Sequence, residues 1–187
     1  MTGRRDAEPS RRVAFQAFTA EAAAVVSTWA ATPDEVVSWC SRTEAPVPPD
    51  VIAGWSGQPG VRAYLLLDAG RPVAYGELWI DDEEEEVELA RLVVDPERRG
   101  QHLGRALARR LTREARRAYP TVFLRLVPGN AAALRCYSGA GFARVDPVTE
   151  RAWNENQPTP YVWMTYVGAR GDAGHADRES RGGDEGT

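Results

Sequence analysis

Lysine is absent from this chain, and cysteine and histidine are scarce. All 23 basic residues are arginine, and the only cysteines, Cys40 and Cys136, are far apart and form no Cys-x-x-Cys pair. The sequence therefore predicts neither a disulfide framework nor a zinc site. The two histidines, His102 and His175, are too few for a histidine-based metal centre, so we expect no metal.

Long apolar runs are also missing. No stretch approaches the ~20 residues that a membrane-spanning helix needs, so no membrane association is expected. Arg11 and Arg12 resemble part of a twin-arginine export signal, which requires an uncharged apolar segment after it. Gln16, Thr19 and Glu21 interrupt the apolar residues that follow. The sequence therefore predicts a cytoplasmic protein.

Length, charge and composition indicate an ordinary globular protein. At ~150 residues per domain, a chain of 187 residues corresponds to one domain. It is 43% hydrophobic and 27% charged, which excludes collagen-like and wholly disordered chains. With 23 arginines against 27 carboxylates, the net charge is −4. This balance argues against a dedicated nucleic-acid binder and is compatible with a cationic substrate.

Both ends of the chain are polar. Residues 1–12 predict a flexible N-terminal arm, and between Gly168 and Thr187 the only apolar residues are three alanines. Such a segment buries too little surface to offset its ordering entropy, so residues 168–187 are predicted to be a disordered tail. The folded domain is expected to span residues 13–167.

The strand and helix patterns between these ends predict a mixed α/β sheet whose later part has βαβ character. Thr32-Pro33-Asp34-Glu35 is a strong helix start signal, with a cap, a proline and a glutamate in the favoured positions. The four predicted helices cover residues 19–29, 32–39, 100–119 and 130–140, with a further helical turn near 51–55. The predicted strands cover residues 13–18, 61–67, 73–80, 87–94, 122–127, 142–145 and 161–167. Residues 146–160 are predicted to be a long connection.

One strand–helix junction has the features of an anion site. Arg98-Arg99-Gly100-Gln101-His102-Leu103-Gly104 follows a predicted strand and opens a helix with an apolar stripe. Free backbone N–H groups and the helix dipole favour an anion such as a pyrophosphate there. The stretch lacks the Gly-Lys-Ser/Thr of a P-loop and the spacing of a dinucleotide fingerprint. Taken alone, it fits an ordinary glycine-containing turn equally well.

A second motif lies about 30 residues further on. Asn130, Ala133, Tyr137, Gly141 and Phe142 have the spacing Asn-x-x-Ala-x-x-x-Tyr-x-x-x-Gly-Phe. Together the two motifs resemble the GNAT superfamily of acetyl-CoA-dependent N-acetyltransferases over roughly residues 61–167. The resemblance implies a mostly antiparallel, twisted sheet of six or seven strands with about four helices. It also implies that the parallel strands 87–94 and 122–127 splay apart to form the CoA cleft.

The resemblance also implies which residues hold acetyl-CoA, the expected co-substrate. Backbone groups before the loop would contact the pantetheine arm, and loop amides would bind the pyrophosphate. The predicted binding residues are Leu92, Val93, Val94, Arg99, Gly100, Gln101, His102, Leu103, Gly104, Arg105 and Asn130. His102 replaces the family's usual first glycine. It could crowd the phosphate, donate an N–H to it, or lie in a helix that has already begun.

Direct attack of an amine on the thioester requires two proton transfers, because an amine with a pKa of ~10 is mostly protonated at neutral pH. Tyr137 occupies the position of the family's proton donor, although an aromatic packed against the last strands has the same pattern. Glu88 has the spacing of the strand base in the histone-acetyltransferase branch, and Glu77 is the rival base. Ribosomal-protein N-terminal acetyltransferases have a glutamate where this chain has Arg125, so their mechanism does not transfer.

The resemblance thus implies acetyl transfer from acetyl-CoA to a primary amine. A small-molecule acceptor is expected, such as an antibiotic, a polyamine or an amino-acid-like metabolite. The alternatives are a protein lysine or N-terminal acetyltransferase and a non-catalytic CoA-binding sensor or interaction module. Many relatives are dimers, so a homodimer is among the expected assemblies. Trp29, Trp39, Trp55 and Trp153 suggest an aromatic acceptor pocket, with core packing as the alternative.

Overall fold

One twisted sheet runs through the chain in the computed structural model, which describes residues 13–168. Its strand order is β1-β2-β3-β4-β5-β7-β6. The strands are β1 (Ala14–Ala17), β2 (Val61–Asp68), β3 (Arg71–Asp81), β4 (Glu86–Val94), β5 (Thr121–Leu126), β6 (Phe142–Arg144) and β7 (Val162–Tyr166). Every neighbouring pair is antiparallel except β4 and β5, which are parallel. The predicted sheet is confirmed.

Six α-helices occur within residues 13–168, more than the predicted four or so. They are α1 (Ala23–Ser27), α2 (Pro33–Cys40), α3 (Pro49–Trp55), α4 (Leu103–Ala115), α5 (Ala131–Ala140) and α6 (Pro147–Asn154). The additional helix α6 lies in the segment predicted as a connection. Asp146 caps it, since its Oδ1 accepts hydrogen bonds from the N–H groups of Val148 and Thr149.

Side-chain caps set the start of two predicted helices, α2 and α5. The Thr32 hydroxyl accepts a hydrogen bond from the Glu35 N–H, and the Glu35 carboxylate accepts one from the Thr32 N–H, which completes the capping box at α2. At α5, Asn130 Oδ1 accepts a hydrogen bond from the N–H of Ala133 at 3.0 Å. Each cap satisfies a backbone donor that the helix cannot, so the sequence fixes where both helices begin.

The two faces of the sheet carry separate hydrophobic cores. In the first core, helix α4 packs on one face through its predicted apolar stripe, since Leu103, Leu107, Leu111 and Ala115 are all buried. In the second core, helices α1 to α3 cover part of the other face. Gly76 of β3 allows the close approach of α4, because a Cβ there would lie 2.8 Å from a Leu111 methyl carbon.

Strands β4 and β5 separate soon after they meet. Their pairing is limited to Glu86–Glu88 against Thr121–Phe123, although β4 continues to Val94 and β5 to Leu126. Beyond this short ladder the two strands diverge, as predicted. The β5-facing edge of β4 is therefore left without a strand partner, and a V-shaped opening forms between the strands.

The predicted N-terminal arm lies outside the described residues, as does the predicted tail apart from Gly168. None of the helices in residues 13–168 has the length and hydrophobicity required to cross a bilayer. In the same range, no three metal-binding side chains are grouped closely enough to hold an ion.

Candidate active site

The opening between β4 and β5 leads into a cleft of about 1040 Å³. Its walls are β4, the start of α4, α5 and the end of α2. The predicted site residues that line it are Glu88, Leu92, Val93, Val94, Arg99, Gly100, His102, Leu103, Gly104, Arg105, Asn130 and Tyr137. Gln101 is exposed and does not line the cleft, and neither does Glu77.

A β-bulge shapes the β4 wall of the cleft. Arg91 and Leu92 together lie opposite Gly76 of β3, and Arg91 has a left-handed backbone with φ 48°. The carbonyl oxygen of Arg91 accepts a hydrogen bond from Trp39 Nε1 at 2.7 Å. A bulge leaves a backbone residue outside the regular ladder and bends its strand. It therefore presents β4 backbone groups to the cleft at the divergence of the strands.

The loop before α4 contains two residues in the left-handed region. Gly100 has φ 79° and His102 has φ 60°, and the helix begins only at Leu103. The alternative that placed His102 inside the helix is therefore wrong. The first N–H groups of α4 have no acceptor within the helix and lie at the cleft wall, where the positive end of the helix dipole adds to their attraction for an anion.

Arg99 and Arg105, two arginines of this region, differ in their hydrogen-bond partners. Arg99 is already engaged, because its guanidinium donates to Glu35 Oε1 at 2.8 Å and to the carbonyl oxygen of Trp29 at 2.9 Å. It ties the loop to α2. Arg105 lies against Gly139 of α5, and its buried Nε has no hydrogen-bond partner among the described residues. Arg105 Nε is thus one of two buried arginine donors at the cleft without a hydrogen-bond partner within residues 13–168, the other being Arg98 Nε.

Gly104 lies at a tight contact between two helices. A Cβ at this position would lie 3.1 Å from the sulfur of Cys136 on α5, closer than ordinary contact. Cys136 is half-buried at this crossing, and burial raises the pKa of its thiol. The glycine therefore brings α4 and α5 together at the cleft.

Glu88 lies where β4 and β5 part. Only 12% of its side chain is exposed, and its Oε1 is 3.0 Å from Arg125 Nε of β5. Burial raises the pKa of Glu88 to about 7, although the neighbouring guanidinium of Arg125 acts in the opposite direction. A carboxyl group in this state can exchange a proton near neutral pH.

Glu77 is in a different environment. Its side chain is completely buried, and its two oxygens accept hydrogen bonds from Tyr75 at 2.5 Å and Trp79 at 2.6 Å. Arg91 adds an ion pair at 3.0 Å, and its guanidinium stacks 4.0 Å from the Trp55 ring. These partners occupy both carboxylate oxygens and hold the bulge residue in place.

Tyr137 projects from α5 into the cleft. Its ring packs at the edge of the first core and lies 6.5 Å from the Phe142 ring. Its hydroxyl forms no hydrogen bond with any residue in the described part of the chain. Burial raises the pKa of Tyr137, so the phenol keeps its proton at neutral pH. The ring therefore packs against the core, as the alternative interpretation expected, while the role of Tyr137 as proton donor stays a prediction.

Sequence reasoning missed the cationic partner of Glu88. Arg125 donates to Gln157 Oε1 at 2.9 Å and lies over the rings of Tyr161 and Trp163, at 5.2 and 5.4 Å from their centroids. Glu88 and Arg125 are 37 positions apart in the chain, and only the parallel pairing of β4 with β5 brings them together. An arginine in an alternating strand pattern carries no local signal of such a pairing.

The tryptophans divide between core and cleft. Trp29 and Trp55 are buried in the second core, where core packing was the alternative interpretation. Trp39 is also buried there but lines the cleft. Trp153 lies on α6, away from this cleft, and lines a second cavity.

The structure is similar to several solved acetyltransferases, all at low sequence identity. The aminoglycoside acetyltransferase AAC(6')-Ib, solved with ribostamycin and coenzyme A, matches with a TM-score of 0.68 and 20% identity, covering 88% of this chain and 98% of that chain. A chimera of the spermidine N-acetyltransferase SpeG from Vibrio cholerae and hSSAT matches with a TM-score of 0.64 and 15% identity, covering 82% and 94%. YncA, a putative acetyltransferase from Salmonella typhimurium solved with acetyl-CoA, matches with a TM-score of 0.59 and 21% identity, covering 82% and 90%.

Comparison with the curated proteins gave no sequence match. The sequence model of the Acetyltransferase (GNAT) family, by contrast, matches residues 26–142. The matched region contains β2 to β5, the loop before α4, and all of α5. Because the match covers more than half of the chain and the fold agrees with it, this protein belongs to the GNAT family of N-acetyltransferases.

Proposed function

We propose that the protein transfers an acetyl group from acetyl-CoA to a primary amine of a small molecule. The observation that carries this proposal is the cleft between β4 and β5, which has a carboxyl group with a pKa of about 7, Glu88, on one wall and a protonated phenol, Tyr137, on another. Acetyl transfer to an amine needs a proton acceptor and a proton donor in one site.

Acetyl-CoA fits the residues that line the cleft. The unpaired edge of β4 can hydrogen-bond to an extended amide chain in the manner of an added strand, which suits the pantetheine arm at Leu92 to Val94. The N–H groups at the start of α4 suit the pyrophosphate. The buried Arg105 Nε without a partner supports a nearby phosphate, because an unsatisfied buried donor is costly. When bound, acetyl-CoA supplies the reactive thioester.

Glu88 acts as the base in this proposal. A carboxyl group with a pKa of about 7 accepts a proton more readily than an ordinary glutamate and is still ionised at neutral pH in a substantial fraction of molecules. It takes the proton of the incoming ammonium, directly or through one water. Glu77 has no free oxygen to serve this purpose and does not line the cleft.

Tyr137 acts as the acid. Its hydroxyl carries a proton, lines the cleft, and has no competing hydrogen bond within residues 13–168. It donates that proton to the departing sulfur, so that the leaving group is a thiol instead of a thiolate. The neutral phenol contributes mainly in the transition state, when charge develops on the sulfur.

A small-molecule acceptor is supported by contacts that bridge the cleft. Asn130 Nδ2 donates to Ser38 Oγ at 3.2 Å, which joins the start of α5 to α2. The hydroxyls of Ser41 and Tyr161 are 3.3 Å apart and join the end of α2 to the segment before β7. A peptide acceptor needs a channel that is open at both ends. These two contacts narrow the cleft, which favours a small acceptor. The similarity to structures of aminoglycoside and spermidine acetyltransferases points in the same direction.

The proposal is tested by measuring binding and turnover separately. A thermal shift with acetyl-CoA and with CoA reports cleft binding, and release of free thiol over a panel of small amines, lysine peptides and N-terminal peptides reports transfer. We expect stabilisation by both ligands and thiol release with small amines. Thiol release only with peptides would overturn the small-molecule assignment. Binding without thiol release from any acceptor would identify a CoA sensor.

A further inference from the structure

A second cavity, of about 550 Å³, lies beside the cleft. The two share Trp79, Glu88, Arg125 and Gln157 as lining residues. The ion pair between Glu88 and Arg125 therefore forms part of the wall between them. Any molecule that enters the second cavity comes within reach of the carboxylate to which we assign the proton transfer.

Aromatic rings form one side of this cavity. Phe123, Trp153 and Trp163 lie against one another, with ring centroids 5.2 to 5.9 Å apart. The guanidinium of Arg125 already lies 5.4 Å from the Trp163 ring and 6.0 Å from the Trp79 ring. Cations within about 6 Å of an aromatic face are attracted to it. The rings of Trp163 and Trp79 thus already hold one cation, whereas within residues 13–168 no cation lies over the rings of Phe123 and Trp153.

Carboxylates form the opposite side, where β3 meets β4. Asp81, Glu84 and Glu86 line the cavity along with Glu88. Burial and the nearby negative charges of Asp81 and Glu84 raise the pKa of Glu86. The carboxylates therefore repel one another, and a bound cation would reduce that repulsion. Glu86 and Glu88 are two residues apart on β4, which places their Cα atoms about 7 Å from each other.

We propose that the second cavity binds the remote ammonium group of a di- or polyamine acceptor. This inference rests on the proposed function, in which the reacting nitrogen lies at Glu88. The remote ammonium lies between the aromatic rings and the carboxylates of Glu84 and Glu86. The spacing along β4 suits two nitrogens joined by a propylene or butylene chain. The acceptor class is therefore an aliphatic polyamine or another amine with a second cation at that distance.

The test compares spermidine with n-butylamine, which has one nitrogen only. The ratio of their kcat/KM values is measured by thiol release in the full-length protein and in the double variant Glu84→Gln/Glu86→Gln. Glu83→Gln/Glu85→Gln is the matched control, since it also removes two charges from the same hairpin but neither residue lines the cavity. Trp153→Leu tests the aromatic side, with its melting temperature checked first.

We expect the protein to prefer spermidine, and the double variant to lose at least about tenfold of that preference. Glu83→Gln/Glu85→Gln should keep the wild-type ratio. Equal use of both amines by the wild type would overturn the cavity assignment while leaving acetyl transfer intact. An equal loss in Glu83→Gln/Glu85→Gln would overturn it too, since a general electrostatic field would then explain the preference. A folded Trp153→Leu protein with an unchanged ratio would also overturn the cavity assignment.

Calorimetry separates this proposal from the proposed function, because it does not depend on turnover. We expect spermidine to bind the CoA-loaded protein at one site, with binding weakened in the double variant. Binding of this kind without any thiol release would support the cavity and overturn the transferase assignment. No detectable binding of spermidine would overturn the cavity assignment.

Discussion

Replacing Glu88 with glutamine is the most direct test of the proton acceptor. The amide keeps the size of the side chain and can still accept a hydrogen bond from Arg125, but it cannot take a proton. General bases contribute about 10²- to 10⁴-fold to rate, so we expect Glu88→Gln to lower kcat by that range. Glu83→Gln, on the exposed hairpin tip, is the control and should keep the wild-type kcat.

The pH dependence gives the sharper result. With a pKa of about 7, Glu88 is protonated below neutrality, and the wild-type kcat/KM, which reports the free enzyme, should fall about tenfold for each further pH unit. Glu88→Gln should lack this acidic limb. Raising the pH toward the amine pKa of ~10 should partly restore its rate, because the acceptor then loses its proton to solvent.

Glu77→Gln should lower the free energy of unfolding and leave the pH dependence of the rate unchanged. Glu77 is buried with Arg91 and two hydrogen-bond donors, and breaking such a buried pair costs about 3–5 kcal/mol. Urea unfolding should show this loss, whereas the folded fraction should keep the acidic limb. If instead Glu88→Gln retains the limb and Glu77→Gln loses it, the assignment of the base to Glu88 is refuted and Glu77 takes the role.

Three further outcomes follow from the contacts. Tyr137→Phe should lower kcat about 10²-fold or more and leave the calorimetric Kd for acetyl-CoA nearly unchanged. Arg125→Gln removes the cation that lowers the pKa of Glu88, so the acidic limb of its pH profile should move above the wild-type position of about 7. Gly76→Ala forces a Cβ to 2.8 Å from a Leu111 methyl carbon, and urea unfolding should show a loss of about 1–3 kcal/mol.

Features that depend on neighbouring residues were predictable from the sequence. The capping box at Thr32, the cap at Asn130 and the stripe on α4 each use groups within a few positions of one another. These signals located three helices and the two motifs that carry the family resemblance. The parallel pairing of strands 87–94 and 122–127 and their divergence followed from the same resemblance.

Helix α6 shows the limit of such signals. Asp146 and Pro147 form a start signal like the one at Thr32 and Pro33. After Pro147, however, its only apolar residues are Val148, Ala152 and Trp153, and none of them is buried. A cap followed by so short an apolar pattern does not distinguish a surface helix from a loop.

Backbone conformation at the cleft could be predicted only in part. His102 and Arg91 both adopt positive φ values, which favour glycine. The glycine that the family has at position 102 indicates this conformation, whereas no residue near Arg91 signals it, since the surrounding structure imposes it there. Arg91 is held by Glu77, by the Trp55 ring and by Trp39, which come from three different elements. Only tertiary packing specifies the bulge.

The two strand glutamates show most clearly why a candidate base needs the structure. Trp79 is the cross-strand neighbour of Glu88, and Glu77 lies two residues from Trp79 on β3, so all three side chains point to the same face of the sheet. Glu77 lies under the core formed with α1 to α3 and is paired with Arg91. Glu88 lies at the strand divergence, where one arginine and the cleft are its surroundings. The same residue type on the same face is thus a structural anchor in one place and the proposed proton acceptor in the other, because the helices cover only part of that face.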